Sequence, residues 1–146
     1  MKSVVELDVS VPQGRLSEFF LNPELSTEWM DDVERYEAIS GEPGMPGSQY
    51  RLVPKSGSMV FVATVISRSL PSEASLQLDT SSVTVSVTGR FVPLSPDRTR
   101  LLSEEVFRFK GLFNKLLGYL ARGDITKAHR RHMEAFKRFA ESRVGA

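Results

Sequence analysis

The sequence predicts an α+β fold: an antiparallel sheet of about seven strands, two short helices after the first strand, and one long helix closing the chain. Three observations carry that prediction. The opening residues alternate apolar and polar with a period of two, the middle of the chain is a succession of β-rich runs separated by tight turns, and the end is a basic amphipathic helix. A lone terminal helix laid across an antiparallel sheet tends to enclose a pocket. The pattern therefore points to a ligand-holding cavity and says far less about any reaction.

Val5, Leu7, Val9 and Val11 alternate with Val4, Glu6, Asp8 and Ser10, as a half-buried strand requires, and Pro12 stops it. Between residues 12 and 21 the period changes: Leu16, Phe19 and Phe20 share one helical face, with Pro12 placed to open the turn. Asn22-Pro23 breaks this helix, and residues 23–30 read as a second short one with Asn22 as its N-cap. Strands are then expected over 33–39, 48–54, 58–70, 73–79, 83–94 and 99–109. Between the first two of these lies Gly41-Glu42-Pro43-Gly44-Met45-Pro46-Gly47, too rich in breakers for regular structure. Lys55-Ser56-Gly57, Leu70-Pro71-Ser72 and Ser95-Pro96-Asp97 supply turns, so neighbouring strands should run antiparallel.

Residues 111–121 carry Leu112, Phe113, Leu116, Leu117 and Leu120 at helical spacing, interrupted by Gly118 and ended near Gly123. Asp124 is placed to cap the last helix, expected over 125–142. On that helix Ile125, Ala128, His129, His132, Phe136, Phe139 and Ala140 fall on one face. Lys127, Arg130, Arg131, Glu134, Lys137, Arg138 and Glu141 fall on the other.

At 146 residues, with 40% hydrophobic and 25% charged side chains, the chain is expected to be a single domain spanning 1–146 with a real core. No stretch approaches a signal peptide's apolar run or the roughly 20 apolar residues of a membrane span, so a cytoplasmic protein is expected. The absence of cysteine rules out disulfides, thiolate metal sites and a cysteine nucleophile. The net charge of +1 hides an asymmetry: from Lys110 onward there are nine Lys/Arg against three Asp/Glu. Sharp catalytic signals such as Gly-x-Ser-x-Gly, a Walker-type phosphate loop or His-Glu-x-x-His are missing. The basic helix has no base-stacking aromatic platform, and no DNA partner is expected.

The segment Asn22-Pro23-Glu24-Leu25-Ser26-Thr27-Glu28-Trp29, the loop Gly41-Glu42-Pro43-Gly44 running to Gly47-Ser48, and the ending Ala135-Phe136-Lys137-Arg138-Phe139-Ala140-Glu141 together resemble the START-like, polyketide-cyclase-like branch of the helix-grip (SRPBCC) superfamily. The resemblance covers nearly the whole chain and rests on element order and scattered residues. It implies a curved antiparallel sheet whose concave face grips the C-terminal helix, an apolar cavity between them, and a hydrophobic small molecule or lipid as ligand. Only some members of that superfamily are enzymes, and no shared catalytic motif or cofactor is implied.

On the last strand Leu101, Ser103, Glu105, Phe107 and Phe109 form one alternating set and Leu102, Glu104, Val106 and Arg108 the other. If the first set faces inward, Glu105 enters the interior, where a carboxylate must be paired, hydrogen-bonded or protonated. His132 is the expected counterpart, and the two are the candidate catalytic pair; His132 equally suits a structural hydrogen bond or a polar contact to ligand. His129 and His132 at i, i+3 lack a placed third ligand, so no metal site is expected. Trp29, Tyr50, Phe61, Phe91, Phe107 and Phe136 are the candidate apolar lining, with Glu105 and His132 as its polar groups. Arg130, Arg131 and Arg138 offer a basic face to an acidic partner or a membrane surface.

Overall fold

Alternation along the first residues makes a strand with one buried face, and that strand pairs with the last strand of the chain rather than with its sequence neighbour. The computed structural model describes residues 1–57 and 59–145; Ser58, where the expected strand 58–70 begins, and Ala146, the end of the expected domain, lie outside the described residues. The strands are β1 (Lys2–Val9), β2 (Val33–Ser40), β3 (Gln49–Pro54), β4 (Phe61–Ser69), β5 (Glu73–Asp79), β6 (Val83–Ser95) and β7 (Arg98–Phe109). They form one sheet in the order β1-β7-β6-β5-β4-β3-β2, antiparallel at every pairing. Register shifts between β2 and β3, β4 and β5, and β6 and β7 mark bulges, which bend strands and curve the sheet.

The helices are α1 (Gln13–Leu21), α2 (Ser26–Trp29), α3 (Leu112–Leu120) and α4 (Arg122–Gly145). The expected helix over 23–30 is divided: Pro23–Leu25 forms a 3-10 turn, and α2 is a single turn after it. Asn22 caps the segment as expected, its Oδ1 accepting from the Glu24 amide at 3.1 Å. The last helix begins earlier than expected, at Arg122. Asp124 therefore lies inside its first turn, where a carboxylate still suits the positive end of the helix dipole. Gly118 does not interrupt α3. It is the buried residue of that helix, and a Cβ there would overlap the Phe109 ring, so the missing side chain is what lets α3 rest on β7.

α4 lies over the concave face and buries His129, Met133, Phe136 and Ala140, the i, i+4, i+7, i+11 edge of an amphipathic helix. Polar ties fix its path along β1. Lys137 Nζ donates to the Asp8 carbonyl at 2.8 Å and to Glu141 at 3.0 Å, while Glu141 Oε2 accepts from the Ser10 amide at 2.8 Å. At the far end Arg143 meets Glu28 of α2 at 2.8 Å. Among the described residues no helix is long and apolar enough to cross a membrane.

An aromatic cluster of the core lies under α1. Phe20 meets Phe91 and Phe136 edge-on at ring separations of 5.4 and 6.0 Å, and Trp29 meets Phe136 at 5.1 Å. Beneath Phe20 the sheet is shallow, because Gly89 on β6 sits between Ala74 on β5 and Ser103 on β7. A Cβ on Gly89 would come within 2.8 Å of Phe20 Cζ. Gly89→Ala is therefore expected to cost about 2 kcal/mol, an overpacking penalty, and to lower the melting temperature by about 4–8 °C. Calorimetry of Gly89→Ala, Phe20→Leu and the double variant checks this. The smaller Leu should relieve the clash, so the double variant loses less than the two single losses combined.

Candidate functional site

β7 alternates as read from the sequence, which turns Leu101, Ser103 and Glu105 toward α4. β1 sets Ser3 opposite Glu105 and Val5 opposite Ser103, so two serines stand side by side beneath the helix. His129 enters between them. Its Nε2 lies 2.9 Å from Ser103 Oγ and its Nδ1 2.8 Å from Ser3 Oγ. A neutral imidazole has one N–H to donate and one lone pair to accept with, and hydroxyls can take either role, so both ring nitrogens are satisfied without a charge. Burial pushes the His129 pKa down to about 4, with the neighbouring His132 and Arg130 charges adding to the effect. Glu105 Oε1 lies 3.8 Å from Nδ1, beyond hydrogen-bond reach, and with the ring neutral this approach is not an ion pair.

Beyond this junction α4 stands off from the sheet and leaves a cavity of about 260 Å³. Its floor is Leu52, Phe61, Leu78, Val85 and Phe107, one from each of β3 to β7, and Ile125 and Ala128 of α4 form its roof. Met30, Leu52, Leu78, Glu105 and His132 also line a smaller lobe of about 70 Å³ toward α2, completed by Trp29, Tyr50 and Met133 among others. Exposed Asp32, at the start of β2, marks the mouth.

The candidates read from the sequence divide accordingly. Trp29 and Tyr50 line the smaller lobe, Phe61 and Phe107 the larger, and Glu105 and His132 both. Phe91 and Phe136 line neither. They are fully enclosed by Phe20, and for Phe136 by Trp29, because α1 covers that end of the concave face. The imidazole next to Glu105 is that of His129, whereas the sequence reading pairs Glu105 with His132; on α4 the two histidines are less than one turn apart, and spacing alone does not say which reaches the carboxyl. Leu78 and Val85 were missed as lining, although both belong to alternating strands whose inward sets would have named them. Arg130, Arg131 and Arg138 are exposed on the outer side of α4, Arg130 within 3.8 Å of Glu134.

The polar groups of the cavity share one electrostatic condition. Burial raises the Glu105 pKa to about 7 and that of the Tyr50 phenol to about 12. Burial also lowers the His132 pKa, with Arg131 acting in the same direction and Asp31 and Asp32 opposing it. The Glu105 side chain keeps only 16% of its surface exposed, and among the described residues no hydrogen bond is donated to it. His129, engaged at both nitrogens, has no lone pair left for a metal ion. What remains is a greasy chamber in which a carboxyl, an imidazole and a phenol are available to a guest.

No family model matches the sequence, and no curated protein matches it. Solved structures do. A protein of Thermus thermophilus, TTHA0849, superposes with a TM-score of 0.78 at 13% identity, over 97% of this chain and 98% of its own. A START superfamily protein from Mycobacterium smegmatis gives 0.75 at 17% identity over 97% of both chains. A truncated norcoclaurine synthase from Thalictrum flavum gives 0.70 at 16% identity, over 95% of this chain and 93% of its own. At such identities the likeness is one of fold: with its element order, its curved antiparallel sheet and the long helix over the concave face, this chain has the helix-grip fold that those structures share.

Proposed function

We infer that the protein binds a small, mainly apolar molecule carrying a hydrogen-bond donor, held between the sheet and α4 with the donor directed at Glu105. The observation that carries this reading is a largely buried carboxyl, to which no hydrogen bond is donated among the described residues, set in the wall of a mainly apolar cavity. A cavity of 260 Å³ is roomy on the scale at which about 150 Å³ of apolar space accepts benzene, and it lies near the lower end for ligand pockets. One or two fused rings, or a short branched chain, is the size that fits. The START-superfamily likeness supports a ligand-holding role in general terms and does not supply the ligand.

1-Naphthol and naphthalene are suitable probes, because they differ only in the donor. Trp29 is the single tryptophan and borders the smaller lobe, so its emission should report occupancy. Naphthol is expected to bind about five- to tenfold more tightly than naphthalene, the value of one hydrogen bond, and Glu105→Leu should erase that preference. Val85→Phe, which fills the larger lobe, should weaken both probes at least about tenfold. Absence of binding by either probe, or indifference to Val85→Phe, would count against the cavity as the site. Native mass spectrometry of the purified protein, followed by solvent extraction, would identify a co-purifying guest.

A second reading is acid–base chemistry on such a guest, favoured by one observation: a carboxyl whose pKa near 7 leaves it able to give or take a proton at neutral pH. Glu105 would then exchange the proton with bound substrate, and His132, on the wall of the same cavity, would orient it. A norcoclaurine synthase shares the fold, so the scaffold accommodates an enzyme.

Both readings rest on the proton affinity of Glu105, which stability measurements can test. Its ordinary pKa is 4.5 and its folded value about 7, so between those pH values the folded chain holds a proton that the unfolded chain has released. Stability from this group is complete below pH 4.5 and falls by about 1.4 kcal/mol per unit as pH rises toward 7. His129 has the opposite sign: with 6.5 lowered to about 4, its contribution is present above pH 6.5 and lost as pH falls toward 4. His132, likewise lowered by burial, acts in the sense of His129, so Glu105 offsets only part of the histidines' loss and the wild type should lose stability gently from about pH 6.5 to 4.5. Glu105→Gln should be the more stable of the two at pH 7, by up to about 3 kcal/mol, and should lose stability steeply on acidification from pH 6.5 to 4. Urea titrations across that range check it; parallel profiles for the two proteins would contradict it.

A further inference from the structure

α3 is oriented the wrong way round for a helix of a folded domain. At 100° per residue, Tyr119, Leu112, Leu116, Leu120, Phe113 and Leu117 occupy one stripe about 160° wide, and Gly118 lies about 180° from its centre. It is Gly118 that faces the sheet, against Phe109. The whole stripe therefore points outward: Leu112 is 85% exposed, Phe113 71% and Leu120 68%. An apolar patch of this kind on a protein surface marks something that covers it.

Charge identifies the cover. Beneath α3 runs an open groove of about 530 Å³ lined by Met1, Phe107, Arg108, Phe109, Lys115, Gly118, Tyr119 and Arg122, three of them cationic side chains and none acidic. The N-terminal ammonium is at its edge, 3.2 Å from the Phe107 carbonyl. Arg122 stacks over the Tyr119 ring at 4.0 Å and donates to the Tyr119 carbonyl at 2.6 Å, holding a guanidinium at the end of the apolar crest. Between residues 108 and 131 there are seven Lys/Arg and one acidic residue, Asp124. An apolar helix crest bordered by cations is the arrangement that lies in the interface of an anionic bilayer, side chains in the acyl boundary and cations among the phosphates. A second copy of this chain would bring the same cations against each other. We propose that α3 is a membrane-docking helix that seats this protein on an anionic phospholipid surface, with Leu112, Phe113, Leu116 and Leu120 inserted and Arg108, Lys115 and Arg122 at the headgroups.

The test uses the full chain and vesicles of phosphatidylcholine, alone or with an equal part of phosphatidylglycerol. The protein is expected to co-sediment with the anionic vesicles and at least about tenfold more weakly with the neutral ones, and added salt should weaken the former. Leu112→Ser/Leu116→Ser/Leu120→Ser should reduce binding about 100-fold or more while changing the melting temperature little, since these side chains are mostly exposed in the fold. Lys115→Glu/Arg122→Glu should abolish the preference for anionic lipid. Because the chain contains no cysteine, Leu116→Cys and, as a control on an exposed strand position, Ile66→Cys each carry one polarity-sensitive dye. Only the dye at position 116 should shift to the blue on vesicle addition. Equal binding to both vesicle types, no response to the triple serine variant, or a concentration-dependent dimer that the serine variant dissolves and that leaves vesicles unbound would each overturn the proposal.

Discussion

One helix cannot cover a seven-stranded sheet, and that shortfall of area determines the rest of the molecule. α4 is fixed at the β1–β7 side of the concave face by polar ties rather than by apolar contact alone: the Ser3–His129–Ser103 bridge, the Lys137 bond to Asp8, and the Glu141 bond to the Ser10 amide. These bonds are specific in direction, as apolar burial is not, so they decide where along the sheet the helix lies. Over β1 and β7 the helix is in contact. Over β3 to β6 it stands off far enough to leave open space, and α1 and α2 fill only the end where Phe20, Phe91, Phe136 and Trp29 meet. The uncovered remainder is the cavity.

The same geometry explains why two ionisable groups tolerate the interior. An imidazole between two hydroxyls gains nothing from a proton, so His129 stays neutral and the bridge holds across the physiological range. Glu105, two residues further along β7, has no such partners among the described residues and meets the cavity instead. The two groups are close enough that a charge on either would be felt by the other, yet burial disfavours charge on both. A neutral histidine beside a protonated carboxyl is the state that costs least. It leaves the carboxyl, rather than the histidine, as the group whose proton affinity a guest can alter.

Much of this was legible in the sequence, because period and punctuation are local. Val5-to-Val11 alternation, the Val83–Ser95 run and the Asn22 cap each depend on a few neighbouring residues, and the folded chain keeps them. The inward set of β7 was legible for the same reason, and with it the burial of Glu105. What a linear pattern lacks is rotation and distance. His129 and His132 lie on the same apolar face of α4, and only the position of the serines on β1 and β7 selects His129 as the bridge. Phe91 and Phe136 look like lining residues until α1 is seen to place Phe20 over them.

The stripe on α3 is the sharpest case of that missing rotation. Its spacing announces an amphipathic helix, and nothing in the spacing says which way the apolar side turns. The answer lies in a single pair, Gly118 and Phe109: the glycine offers the only side of α3 on which the β7 aromatic can sit closely, so the leucines are turned out. Phe107, two residues earlier on β7, lines both the cavity and the groove under α3, and its ring stacks on Phe109 at 6.2 Å. The surface that α3 presents and the cavity that α4 leaves thus meet at two stacked rings, so the glycine that turns the leucines of α3 outward also sets the wall of the chamber.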